Sequence, residues 1–233
     1  MAKYELILWD VDGTLMNFER AQAESLGNAF RKVGLPFTPE TLSTYIEISY
    51  GLWEAFERGE ITKEHLQMER FQETQIAVFG EERVDAATLN NSYVDFLSLC
   101  VFPEEGAEEI LGALKGHCEM AIITNGIQRV QESRYEGSFL KEYIKRENLF
   151  VSEGVGWQKP SQQYFDIVFE RLGMENRRQD ALVVGDSLTA DILGGQNAGT
   201  ATCWYNPQGL PKTTEVRVDF EIRHLGEVEK IVL

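Results

Sequence analysis

The stretch YELILWDVDGT, residues 4–14, decides the fold. Tyr4–Trp9 is a short apolar run interrupted only by Glu5, too brief for a helix and suited to a buried strand. It stops at Asp10, where Asp10-Val11-Asp12-Gly13-Thr14 sets two carboxylates two residues apart and Gly13 permits a tight turn. Similar runs recur at Met120–Thr124, Leu149–Ser152, Ala181–Gly185 and Ala201–Tyr205. Helical spacing lies between most of them, as in Tyr164, Phe165, Val168 and Leu172. Strands alternating with helices predict an α/β fold, a doubly wound and mainly parallel sheet with helices on both faces.

The segment 17–100 breaks that rhythm. Phe18, Ala21, Leu26, Ala29, Phe30 and Val33 mark one helix, and Leu89, Tyr93, Phe96, Leu97 and Cys100 another. Thr38-Pro39-Glu40 is a helix start, with Pro39 suited to the first helical position. A crossover between parallel strands needs little more than about a dozen residues. Residues 17–100 therefore read as an inserted helical domain, and 1–16 with 101–233 as the α/β core.

The 233 residues carry a formal net charge of −16, which repels nucleic-acid backbones and anionic membranes. A nucleic-acid polymer is thus disfavoured as a partner. A phosphorylated ligand would need cations gathered locally. No apolar run approaches the roughly 18–20 residues that span a bilayer, and the first ten residues show neither basic leader nor cleavage site. A cytoplasmic protein with no membrane partner is expected. Cys100, Cys118 and Cys203 lack CxxC spacing and read as buried free thiols.

In an open α/β sheet, ligands bind beyond the carboxyl ends of the strands. Asp10 and Asp12 fall there, and carboxylates so close repel unless one is protonated or a cation intervenes. Taken alone, the motif reads equally as an acidic turn with a helix cap. Thr124-Asn125-Gly126 closes a later strand with a hydroxyl and backbone N–H groups suited to phosphate, and Asn-Gly is also an ordinary turn. Lys159-Pro160 offers a cation on a stiffened loop, as many solvated lysines do. Gly185-Asp186-Ser187-Leu188-Thr189-Ala190-Asp191 adds two carboxylates, or simply a capped helix start.

The order of the four motifs, DxDGT, Thr, Lys and GDxxxxD, resembles that of the haloacid dehalogenase superfamily of phosphatases, with the cap inserted after the first motif. The resemblance implies magnesium-dependent hydrolysis of phosphate monoesters through an aspartyl-phosphate. It makes Asp10 the nucleophile and Asp12 the acid that protonates the leaving alkoxide, then the base for the attacking water. Thr124 would bind the transferring oxygens and Lys159 screen their charge. Asp186 would ligate Mg²⁺ with Asp10 and the backbone carbonyl of Asp12, while Asp191 holds a metal-bound water or Lys159. Gly13, Thr14, Asn125 and Gly126 fall among the phosphate-binding positions. Hard oxygen donors and the lack of a Cys/His cluster favour Mg²⁺ over zinc.

Within the superfamily, Asp12 argues against dehalogenation, which needs no acid, and P-type pumps need membrane spans. Phosphonate hydrolases use a cap lysine; Lys32 and Lys63 sit in the insertion, with nothing around them to suggest a desolvated pocket. Gly51-Leu52-Trp53, Gly59-Glu60-Ile61-Thr62 and Ile192–Asn206 resemble bacterial pyrimidine 5′-nucleotidases. That makes Trp53 a candidate base-stacking residue and small phosphorylated metabolites the ligands. Trp9 departs from the phenylalanine usual there, and Phe139–Leu149 is longer than in those enzymes. Phosphoglycolate or sugar-phosphate phosphatases and phosphomutases share the core motifs. A non-catalytic, receiver-like phosphate-binding protein is the reading from another class. Monomer and homodimer both stay open.

Overall fold

The computed structural model describes residues 2–233, which divide into a sheet unit (residues to Phe18 together with Val101–Leu233) and a helical unit (Glu19–Cys100). The sheet unit contains β1 (Leu6–Trp9), and α1 (Phe18–Lys32) follows it in the chain, all but Phe18 belonging to the helical unit. The helical unit continues with α2 (Pro39–Glu57), α3 (Lys63–Phe79) and α4 (Ala86–Leu97). The sheet unit resumes with α5 (Ala107–Leu114), β2 (Glu119–Thr124), α6 (Gln128–Gly137), the one-turn α7 (Leu140–Tyr143) and β3 (Leu149–Val151). There follow the one-turn α8 (Ser152–Val155), α9 (Gln162–Leu172), β4 (Ala181–Gly185), α10 (Leu193–Ala198), β5 (Ala201–Tyr205), β6 (Phe220–Ile222) and α11 (Glu227–Val232).

Every pairing among these strands is parallel, in the order β3-β2-β1-β4-β5-β6. Leu6 stands opposite Glu119 and Ala181, and Trp9 opposite Ile122 and Val184. Because successive side chains alternate between faces, Ile7 and Trp9 pack with Leu111 and Leu114 of α5 and Val228 of α11. Leu6 and Leu8 face the other way, onto Phe165, Val168 and Phe169 of α9. The apolar run of residues 4–9 is thus explained by helices covering both faces. The strand order reverses direction between β1 and β4, opening a crevice beyond their carboxyl ends.

In the helical unit, α2 starts as its sequence predicts. Thr38 Oγ1 accepts from Thr41 N at 3.2 Å, and Thr41 Oγ1 accepts from Thr38 N at 3.4 Å, a reciprocal cap ahead of Pro39. Tyr45, Phe71 and Tyr93 of three different helices meet with ring centroids 5.2–5.9 Å apart and form the aromatic centre of this unit. Among the described residues, no helix is long and apolar enough to cross a membrane.

Candidate active site

Four chain segments converge at the carboxyl ends of β1, β2 and β4. Asp10 directly follows β1, and its backbone N–H still bonds Val184 O at 2.9 Å, which fixes its Cα at the mouth of the crevice. Lys159, only 2% exposed, donates from Nζ to Asp10 Oδ1 at 2.7 Å, Asp191 Oδ1 at 2.6 Å and Ile123 O at 3.0 Å. All three ammonium protons are thereby directed. Burial alone would push this lysine towards neutrality, but Asp10 and Asp191 outweigh it and hold the ammonium above its ordinary range. Asn125 anchors the lysine's main chain: its Nδ2 donates to Lys159 O at 2.9 Å and its Oδ1 accepts from Lys159 N at 2.8 Å. The Asn-Gly turn therefore places the lysine loop against the end of β2, and that is where the Asn125 amide is engaged.

Asp10 Oδ2 is buried and has no hydrogen-bond partner. Desolvation raises the Asp10 pKa to about 7, against the pull of Lys159 and with added repulsion from Asp191 and Asp12. Asp186 remains open to solvent, yet the protein packed about it, then repulsion from Asp10 and Asp191, puts its carboxyl well above the usual range. The Asp10, Asp186 and Asp191 oxygens lie within 4.8 Å of one another. When fully ionised, the three carboxylates exceed the one ammonium by two negative charges, the charge of one divalent cation. The bare Asp10 oxygen and the all-oxygen donor set of Asp10, Asp186 and Asp191 fit Mg²⁺.

Gly13 adopts φ +91°, and a Cβ there would lie 2.5 Å from Asp186 Oδ2. Glycine is required both by the turn and by the approach of that carboxylate. Thr14 is buried and its hydroxyl reaches Asp186 Oδ1 at 3.4 Å. Trp204 of β5 donates from its indole to Asp186 O at 2.8 Å, tying the loop after β4 to the next strand. Asp191 rides on a π turn over Leu188–Ile192, and its Oδ2 accepts from Ser187 N at 3.1 Å. Thr124, at the end of β2, accepts from Gly126 N at 3.0 Å through Oγ1. Its own N–H donates to the Tyr164 hydroxyl at 3.1 Å, which in turn donates to Phe150 O at 2.8 Å.

The sheet unit thus brings together Asp10, Asp186, Asp191 and Lys159, with Asp12, Gly13, Thr14, Thr124, Asn125 and Gly126 in the flanking turns. Trp53 lies in α2 of the helical unit, half-buried and edge-on to Phe56 at 5.7 Å. Sequence reading missed Gln131 and Arg134, which contact Asp12, along with the tether made by Trp204. Tyr164 was legible only as part of an apolar stripe; its hydroxyl gave no signal.

The family model for haloacid dehalogenase-like hydrolases matches residues 7–205. The crystal structure of YfnB from Bacillus subtilis, determined bound to magnesium, superposes with a TM-score of 0.91 at 37% identity, covering 98% of each chain. The pyrimidine 5′-nucleotidase YjjG of Escherichia coli is 32% identical over 231 residues, 99% of this chain and 98% of the relative. The pyrimidine 5′-nucleotidase PynA of Streptococcus pneumoniae is 30% identical over 220 residues, 94% of this chain and 91% of the relative. These matches run through the sheet unit and the helical insertion alike, and the chain belongs to the haloacid dehalogenase-like hydrolases.

Proposed function

We propose that this protein is a Mg²⁺-dependent phosphatase whose substrates are pyrimidine nucleoside 5′-monophosphates. The observation that carries the reaction class is Asp10 itself, with one oxygen held by Lys159 and the other buried and bare at the crevice mouth. A carboxylate oxygen of Asp10 attacks phosphorus while the bond from phosphorus to the ester oxygen breaks, and Asp12 gives its proton to the departing alkoxide. Water then attacks the aspartyl-phosphate, Asp12 takes the water's proton, and the bond from phosphorus to Asp10 breaks to release inorganic phosphate. Bound Mg²⁺ supplies charge neutralisation for the nucleophile and the phosphoryl oxygens. Lys159 stays ionised throughout and keeps Asp10 from recoiling from the dianion. The Thr124 hydroxyl, whose oxygen accepts from Gly126 N, would donate its proton to a phosphoryl oxygen.

Two long relatives bearing pyrimidine nucleotidase names support the substrate class. Release of inorganic phosphate from a panel of nucleoside monophosphates, phosphoglycolate and sugar phosphates, ranked by kcat/KM, tests this. UMP, CMP or dTMP should lead the panel, and a leading sugar phosphate or phosphoglycolate would replace the substrate while leaving the chemistry. Absence of any Mg²⁺-stimulated release would overturn the reaction class.

A further inference from the structure

The carboxylate of Asp12 is gripped at both oxygens by one helix. Gln131 Nε2 donates to Asp12 Oδ2 at 2.6 Å, and Arg134 Nη1 donates to Asp12 Oδ1 at 2.5 Å. The two donors stand three residues apart on α6 and so share one face of it. That face is turned inward, since Gln131 is 3% and Arg134 1% exposed. Arg134 forms no other ion pair among the described residues, and its Nε and Nη2 have no hydrogen-bond partner. Burying a guanidinium is costly unless its partner returns the energy, so this arginine is committed to a single carboxylate.

The path of Gln131 is also built. A Cβ at Gly126 would lie 2.1 Å from Gln131 Nε2 and 2.8 Å from its Cδ. The side chain therefore crosses directly over the glycine of the Thr124-Asn125-Gly126 turn to reach Asp12. An unrestrained aspartate has two free torsions, and misplacement of a proton-transfer group by about 1 Å costs on the order of 10²-fold.

We propose that Gln131 and Arg134 are positioning residues that fix the rotamer of Asp12 for proton transfer, making α6 part of the acid–base half of the reaction. The inference rests on the phosphatase reading, because Asp12 transfers a proton only in that reaction. Neither residue contacts Asp10, whose side-chain partner is Lys159. Their effect should thus reach the chemistry only through Asp12 and, in forming the aspartyl-phosphate, should scale with how much the leaving group needs a proton.

The test compares the parent with Gln131→Ala, Arg134→Lys, Asp12→Asn and the double variant Asp12→Asn/Gln131→Ala. Each is assayed with Mg²⁺ on UMP and on p-nitrophenyl phosphate. Gln131→Ala and Arg134→Lys should lower kcat/KM, which reports formation of the aspartyl-phosphate and not the later hydrolysis that both esters share, about 10–100-fold for the alkyl ester and less than about threefold for the nitrophenyl ester. In the Asp12→Asn background, Gln131→Ala should add no further loss. Arg134→Lys retains the buried charge and guards against an unfolded alanine variant. Equal losses in kcat/KM on both esters, or a full multiplicative loss in the double variant, would overturn the positioning role alone. A parent that hydrolyses neither ester would overturn the phosphatase reading and this inference with it.

Discussion

Each unit of the molecule buries a cation, and the two do it by opposite means. In the sheet unit, Lys159 is held by the carboxylates of Asp10 and Asp191. In the helical unit, Arg70 is equally buried, but its guanidinium lies 5.0–6.0 Å from the ring centroids of Tyr45, Phe71 and Tyr93. Its Nη2 donates to Asn90 Oδ1 at 2.8 Å. Ring quadrupoles and an amide stabilise a buried cation without titrating, so they make a scaffold indifferent to pH and ligands. Carboxylate partners hold their cation in a balance that depends on pH, on metal and on phosphate. Where the chemistry is needed, the fold uses the conditional partner; where rigidity suffices, it uses the neutral one.

The sharpest test of that contrast removes the conditional partner's reactive member. Asp10→Asn should abolish turnover, because a neutral amide cannot form the acyl phosphate. Trapping the parent with beryllium fluoride should modify Asp10, and substantial residual hydrolysis in Asp10→Asn would contradict its role as nucleophile. Next in size is the pair Lys159→Met and Arg70→Met, compared by urea unfolding across pH. Lys159→Met strands Asp10 and Asp191 and should cost about 3–5 kcal/mol near neutrality. The cost should shrink on acidification, since protonated Asp10 no longer needs the ammonium. Arg70→Met should cost about 1–3 kcal/mol with a flat pH dependence. Parallel pH profiles for the two variants would erase the distinction between the two burial strategies.

A smaller effect concerns metal linkage. Desolvation pushes the Asp10 carboxyl up to about 7, so below neutrality the site carries a proton that an incoming Mg²⁺ would displace. The sign follows: Mg²⁺ binds the deprotonated form, and the rise in Tm it produces should grow as pH increases from about 5.5 to 8. Scanning calorimetry with and without Mg²⁺ checks this, and an increment independent of pH would mean that Asp10 does not release its proton on metal binding. The smallest change is expected from Trp53→Ala. If Trp53 stacks a pyrimidine, KM for UMP should rise by a factor corresponding to about 1–3 kcal/mol, while p-nitrophenyl phosphate hydrolysis barely changes. Equal effects on both substrates, with a lower Tm, would make Trp53 a packing partner of Phe56.

The contrast also explains what could be read from sequence. Runs such as Leu6–Trp9 and Ala181–Gly185 are legible because both faces of a central strand are covered by helices, so no polar residue interrupts them. β6 escaped because it is a three-residue edge strand with only Ile222 fully buried. α3 escaped because its buried face carries Arg70, Thr74 and Gln75 beside Leu66 and Phe71, which removes the apolar periodicity. The same rule hid half of the site. Asp10, Asp12, Lys159 and Asp186 sit beside glycine, proline or strand ends, where local chemistry marks them. Gln131 and Arg134 occupy a helix whose composition is that of a solvated surface, and only the fold turns that face towards Asp12.

The indole N–H of Trp204 donates to the carbonyl of Asp186, and so the loop that bears one carboxylate of the acidic cluster is wired to a chromophore. Any shift of that loop stretches or shortens the bond and alters the polarity felt by the excited ring. Trp204 is therefore a native reporter on the position of the loop that carries Asp186. Emission from Trp204, isolated by replacing the other tryptophans with phenylalanine, reads the state of that hydrogen bond with no label and no turnover.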